Sequence, residues 1–219
     1  MRDVLVDFLR DKCDLSAFHD LLAKDFLYSN SSNLVTFIDN HDVGRAMFQA
    51  NSDLEKFKIA FHLLLTTRGI PQILYGTEIG MVENDDHGTL RKNFPGGFPD
   101  DKRNAFTNEG RTEYENEVFN FLQKMLLLRQ KYESLSTGKL THFPVKNNVY
   151  IYLKSKKDEL ILNVINSNNY EVEIETKEIA HLMESRKPLV DLIEDGTINF
   201  HNGSVFKVDG MKAKMFLVQ

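Results

Sequence analysis

Leu34-Val35-Thr36-Phe37-Ile38-Asp39-Asn40-His41-Asp42 is the stretch that decides how this chain is read. An apolar run breaks off into a cluster of polar side chains. A second run, Ile70-Pro71-Gln72-Ile73-Leu74-Tyr75-Gly76-Thr77-Glu78-Ile79-Gly80-Met81, has the same form. Between them Leu54, Phe57, Phe61, Leu64 and Leu65 recur at helical spacing. Ser52 with Glu55 reads as a capping box at the start of that helix. Gly69 closes it, and Pro71 prevents its continuation. The run Leu34 to Ile38 lacks polar alternation, which predicts a strand buried on both faces. Strand, helix, strand and a further helix make a βαβα unit with parallel strands and a right-handed crossover.

Toward the N-terminus, Val4, Leu5, Phe8 and Leu9 form one helical stripe. Asp14 is placed to cap a second helix carrying Leu15, Phe18, Leu21 and Leu22. After the second strand comes a long loop, Gly80 to Gly110, rich in Gly, Pro, Asp and Asn. A long loop just past a strand's C-terminal end is where α/β barrels build their sites. Thr112 with Glu115 then opens a long helix whose stripe is Val118, Phe121, Leu122, Met125, Leu128 and Tyr132.

From about Gly138 the texture changes to short β-rich runs: Val149 to Leu153, Leu160 to Ile165, Tyr170 to Ile174, Leu189 to Ile193, Ile198 to Phe200, Val205 to Val208 and Met215 to Val218. Asp195-Gly196, Asn202-Gly203 and Asp209-Gly210 supply turns. The expectation is an α/β part over residues 1–136 and an antiparallel β-sandwich over 137–219.

Composition narrows the partners. With 42% apolar and 27% charged residues the chain is an ordinary globular sequence. A net charge of −5 argues against nucleic acid, where a basic surface is expected. No apolar run approaches the roughly 20 residues that span a bilayer. The N-terminus carries Asp3 and Asp7 where an export signal would be basic and then apolar. Cys13 stands alone, so no internal disulfide forms, and it reads as a small hydrophobe. No Cys or His spacing suits zinc, and there is no twelve-residue calcium loop. His19, His62, His142, His181 and His201 are scattered and read as structural or surface residues.

Two readings fit Asn40, His41 and Asp42 taken alone. A carboxylate and an imidazole at a strand end can bond hydroxyl groups strongly. Equally, they can form a polar turn in which Asp42 caps the next segment. Asp39 is one residue out of phase and is either part of the cluster or a tie for the loop. Asp85, Asp86, His87 and Arg91 form a second polar constellation in the long loop. An Arg suits a carboxylate partner because its planar fork is preorganised, and either Asp85 or Asp86 could be that partner. Phe94-Pro95-Gly96-Gly97-Phe98-Pro99 comes next, with aromatic rings able to lie against an apolar ligand face and glycines that let backbone approach a ligand; the same pattern is also common loop punctuation.

The order, spacing and chemistry of these motifs resemble the α-amylase family (glycoside hydrolase family 13). Phe37 to Asp42 is similar to that family's motif on the seventh barrel strand. Gly69 to Gly76, with Glu78-Ile79-Gly80-Met81, is similar to the eighth strand and its exit. Arg91 to Phe98 resembles the neopullulanase and cyclomaltodextrinase branch. The resemblance implies the C-terminal part of a (β/α)8 TIM barrel followed by an antiparallel β-sandwich. It implies that Asp42 stabilises the transition state by holding the hydroxyls of the sugar being cleaved. It further implies that Asn40, His41, Asp85 or Asp86, and Arg91 border the substrate, an α-glucan oligosaccharide. Glu78 corresponds to a supportive acid. The nucleophile and the acid/base lie on the family's fourth and fifth strands, and nothing here matches them. The resemblance implies no cofactor for this stretch; many relatives bind calcium through earlier strands, which leaves calcium open for the parent enzyme.

The parent is thus expected to be a retaining hydrolase of α-1,4, or else α-1,6, glucosidic bonds in starch oligosaccharides, pullulan or cyclodextrins, and this chain a fragment inactive by itself. A transglycosylase or sugar isomerase of the same family shares every motif seen here. A non-catalytic interaction protein built on the same barrel is the reading from another class. The compartment is left undecided between cytoplasm and periplasm. Two strands cannot close a barrel, and unpaired edges invite association. Self-association or exchange of an element is therefore expected. Size-exclusion chromatography across a dilution series checks this: the elution volume should fall as concentration rises, and a monomer at every concentration contradicts it.

Overall fold

The computed structural model describes residues 1–175, 188–199 and 205–219. The chain runs α1 (Arg2–Leu9), α2 (Leu15–Leu22), β1 (Val35–Thr36), α3 (Ala46–Gln49), α4 (Leu54–Thr66), β2 (Ile70–Pro71), α5 (His87–Leu90), α6 (Glu113–Lys131) and α7 (Glu133–Thr137). Strands come after: β3 (Lys139–His142), β4 (Val149–Lys156), β5 (Glu159–Asn166), β6 (Val172–Glu175), β7 (Leu189–Asp191), β8 (Gly196–Ile198), β9 (Val205–Val208) and β10 (Lys212–Val218). Phe200, the turn Asn202-Gly203, His181 and His201 lie outside the described residues.

The βαβα expectation holds in outline. β1 and β2 pair in parallel, Val35 opposite Ile70 and Thr36 opposite Pro71, with α4 as the crossover. Gly69 makes the sharp return at φ 82°, and a Cβ there would sit 2.5 Å from the Leu34 carbonyl oxygen. Burial on both faces does not hold. Val35 is 59% exposed and Ile70 55% exposed, because among the described residues no further strand flanks this two-stranded pair. The capping box at Ser52 does not hold either. Asp53 is the N-cap and accepts from the amides of Glu55 and Lys56, while Ser52 sits at φ 61° in the preceding turn. The other two caps form as expected, Asp14 on α2 and the Thr112–Glu115 box on α6.

The sheet order β3-β4-β5-β10-β7-β8 makes a six-stranded layer, and β6-β9 makes a second small one. All these strand pairs are antiparallel. β3 is not legible as an apolar run, because Lys139 to His142 carries only Leu140. The larger sheet is covered on both faces. Along β4 and β5, Tyr150, Tyr152, Ile161 and Ile165 join the core of the helices. Their alternates, Val149, Leu153, Leu162 and Val164, pack on Ile174, Phe206 and Val208 of the small sheet. A period of two thus writes two cores into one strand, which explains why β5 reads as continuously apolar.

α4 lies between the parallel pair and the six-stranded sheet, so Ile59 through Thr66 are all buried rather than one stripe alone. Its C-terminal carbonyls are met by cations from two directions. Arg129 of α6 donates to the carbonyls of Leu65 at 2.6 Å, Gly69 at 2.7 Å and Leu135 at 2.8 Å. Lys154 of β4, almost wholly buried, donates to the carbonyls of Thr67 and Gly138. Positive charge there offsets the negative end of the helix dipole. His62 of α4 and Asn163 of β5 bond at 2.8 Å between Nε2 and Oδ1 across the same junction.

Burial pushes the His62 imidazole down to about 4 from its usual 6.5. Between those values the unfolded chain takes up a proton that the folded chain refuses. The stability due to neutral His62 is therefore complete above pH 6.5 and lost as pH falls toward 4, on the order of 3 kcal/mol. Chemical denaturation at pH 7 and pH 4 measures it: His62→Gln, which keeps a bond to Asn163, should flatten that part of the pH dependence.

Candidate active site at the strand ends

The polypeptide leaving β1 turns sharply at Asn40. The Asn40 side-chain oxygen accepts from the Asp42 amide at 2.8 Å, so Asn40 shapes the turn that presents its neighbours. His41 Nε2 lies 3.1 Å from one Asp42 carboxylate oxygen. Arg91, from the long loop after β2, donates to the other at 3.1 Å and to the His41 carbonyl at 3.3 Å. Asp42 is thus gripped from both sides, while the side chains of His41, Asp42 and Arg91 are each more than half exposed. A carboxylate held this way keeps lone pairs for a ligand's hydroxyls, and its two partners keep donors.

The expected pairing of Arg91 with Asp85 or Asp86 is corrected by this geometry. Asp85 accepts from the Gly44 amide at 2.7 Å and faces Arg10 at 3.8 Å. Asp86 caps α5 through the Gly88 amide at 2.9 Å. Both carboxylates are occupied in shaping the loop, which leaves Arg91 free to reach across to Asp42. The loop also contains one short helix, α5, where none was expected.

Beneath the cluster lies a buried polar hub. Asp39 is almost wholly buried and accepts from the Ala46 amide at 2.8 Å and the Thr77 hydroxyl at 2.9 Å. Its environment raises its pKa above the usual carboxylate value, with burial the main cause. Arg45, 0% exposed, donates to the carbonyls of Tyr75 and Leu90 and lies 3.7 Å from the Glu83 carboxylate. Its backbone amide donates to the Glu83 carbonyl at 3.0 Å, and its guanidinium lies over the Tyr75 ring. Asp39 therefore ties the loop down, the second of its two sequence readings. Sequence reasoning missed Arg45, Glu83 and Thr77. The available signal was an arginine followed directly by Ala46-Met47, a charge entering a run that buries.

Glu78 does not join Asp42. It sits in the 3-10 turn Thr77–Ile79 and faces α6, its pKa raised by burial. In the aromatic loop Phe94 and Phe106 pack with ring centroids 4.5 Å apart, and Asp101 accepts from the Gly96 and Phe98 amides. Among the described residues no group of three or more His, Cys, Asp or Glu converges as metal ligands.

Comparison with known proteins accords with this arrangement. Residues 7–138 match the family described as "Alpha amylase, catalytic domain", and residues 140–213 match "Cyclo-malto-dextrinase C-terminal domain". The cyclomaltodextrinase of Thermoanaerobacter pseudethanolicus is 29% identical over 77% of this chain and 28% of its own length. The maltogenic α-amylase of Bacillus acidopullulyticus is 31% identical over 67% of this chain and 24% of its own length. The chain thus spans about a quarter of these relatives. Among solved structures, the α-amylase of Geobacillus thermoleovorans complexed with acarbose superposes with a TM-score of 0.79 at 23% identity, covering 97% of this chain and 45% of that one. The parallel β1–β2 pair with its helices is accordingly part of a (β/α)8 barrel, and the strands after it are its C-terminal sandwich. Since the catalytic-domain match takes in more than half of its residues, the chain belongs to the α-amylase family.

Proposed function

We propose that this chain carries the sugar-holding end of a retaining α-glucosidic active site. The observation that carries the reading is the cluster in which Arg91 and His41 grip Asp42 at the open ends of two parallel barrel strands. In that role Asp42 accepts two hydroxyls of the ring being cleaved, and His41 and Arg91 add donors beside it. Asn40 sets the turn. Asp85 and Asp86 act at one remove, by fixing the loop that delivers Arg91. The substrate class is an α-1,4-linked, or α-1,6-linked, glucan oligosaccharide. The relatives' names support that class: cyclomaltodextrinase and maltogenic α-amylase.

A retaining mechanism needs one carboxylate as nucleophile and one as acid, about 5 Å apart. The carboxylates of Asp39 and Asp85 are engaged otherwise, Asp39 with the Ala46 amide and Asp85 with the Gly44 amide. This reading therefore places bond cleavage on groups outside these residues, and calcium, where a parent enzyme uses it, as well. The bare β1–β2 pair belongs to the same reading. It is covered by further polypeptide, a second copy of this chain or an element exchanged with another.

Two measurements on the chain as it stands test the site. A reducing-sugar assay with maltotriose should show no release above buffer, and turnover contradicts the mechanism. NMR titration with maltotriose should move the His41 ring resonances, and Arg91→Ala should weaken that response about tenfold, near 1.4 kcal/mol. Shifts that ignore Arg91→Ala contradict the placement of the sugar.

A further inference from the structure

α2 meets the sandwich through a cluster of aromatic rings. Phe18 packs edge-on against Tyr150 of β4, with ring centroids 6.4 Å apart. One residue on, His19 lies beside His142 of β3, with centroids 4.6 Å apart and planes tilted by 37°. Both imidazoles also stand edge-on to the Tyr150 ring. These two histidines are far apart in the sequence and are brought together by the fold. Neither takes part in the cluster around Asp42.

Each imidazole is anchored at Nδ1. His19 Nδ1 lies 3.0 Å from the Asp20 carboxylate, which only accepts, so this nitrogen donates. His142 Nδ1 lies 2.9 Å from the Tyr150 hydroxyl. Tyr150 is 0% exposed, and burial pushes its phenol up, so it remains an O–H group. Among the described residues that hydrogen has one acceptor, the His142 Nδ1 lone pair. A neutral His142 satisfies it, and a protonated His142 cannot.

Charge supplies a second reason for His142 to stay neutral. Asp20 is the counter-ion of His19. Asp25, the other acid facing the cluster, acts on Tyr150 and is paired with Arg68 at 2.8 Å. Tyr152 of β4 is held neutral by burial and bonded to Thr66, and Lys154 turns to the carbonyls of Thr67 and Gly138. Protons on both imidazoles would therefore set two cations side by side with one carboxylate to balance them. Burial, with His19 adding to it, holds the His142 imidazole below its usual 6.5. The stability that neutral His142 contributes is complete above pH 6.5 and is lost as pH falls through the lower folded value.

We propose that His19 and His142 form an acid-released latch between α2 and the sandwich. Protonation of His142 takes the acceptor from the Tyr150 hydroxyl and charges the ring pair. α2 then parts from β3, while the large sheet keeps its own ladder. The latch is independent of any sugar bound at Asp42.

Amide hydrogen exchange on the whole chain at pH 7.5 and pH 5.0, corrected for the intrinsic rate, tests it. The reporters are Ala23, whose amide is held by the His19 carbonyl, and Phe143, held by the Ile151 carbonyl. Their protection should fall at least tenfold at pH 5.0, while Ile161 to Ile165 change less than twofold. His142→Gln keeps an acceptor for Tyr150 and takes no proton, so it should hold the loss within twofold. His19→Gln removes one of the two cations and should reduce the loss at least threefold. Unchanged protection at pH 5.0, or a loss that persists in His142→Gln, overturns the proposal. A loss as large in His19→Gln as in the parent chain overturns the role of the ring pair. A loss that disappears in His62→Gln assigns the acid response to α4 and overturns the latch.

Discussion

A single buried guanidinium connects the two strand ends. Arg45 arises from the loop after β1, yet its side chain binds carbonyls at Tyr75 and Leu90, in the segment after β2. Charge makes this placement compulsory. An arginine with no exposure needs partners inside the protein, and here the carbonyls of Tyr75 and Leu90 and the Glu83 carboxylate draw the two loops together. Leu90 immediately precedes Arg91, so the bond to its carbonyl sets where the Arg91 side chain begins. Asp39 completes the constraint from the other side by holding the Ala46 amide and the Thr77 hydroxyl. The exposed Asp42–Arg91 pair is thereby supported by a buried layer. An exposed ion pair by itself contributes little to stability, and side-chain entropy would scatter it.

The remainder of the chain supplies the platform. α4 carries the return from β1 to β2 and is packed between that pair and the six-stranded sheet. Arg129 and Lys154 meet the carbonyls at its end, and the His62–Asn163 bond ties its middle to β5. The sandwich is therefore more than an appendage, since one face of its large sheet completes the core of the helices. That continuity supports the barrel portion, which has two strands among the described residues.

Local chemistry explains what could be read in advance. Asp14, Gly69 and the Thr112–Glu115 box act within a few residues of themselves, and each marks its element correctly. The two apolar runs, separated by a helical pattern, carried the parallel pair. Longer-range features were opaque. Arg91 meets Asp42 across α3, α4, β2 and α5, and nothing in the intervening sequence favours that pairing over Asp85 or Asp86 until both are seen engaged elsewhere. Asp53 displaced Ser52 as a cap because the backbone at Ser52 had already turned left-handed. β3 escaped notice because its worth lies in pairing with β4, not in its own apolarity. Val35 and Ile70 read as core residues and are exposed, since an apolar pattern reports what a strand is suited to bury and not what lies against it among the described residues.

Amide hydrogen exchange in Arg45→Met tests the central constraint most directly. Loss of the guanidinium should speed exchange at Gly44 and Ala46, whose amides are held by Asp85 and Asp39, while Ile161 to Ile165 in β5 stay protected. Unchanged exchange at Gly44 and Ala46 would show that the strand-end loops hold their shape without Arg45, and would contradict the account.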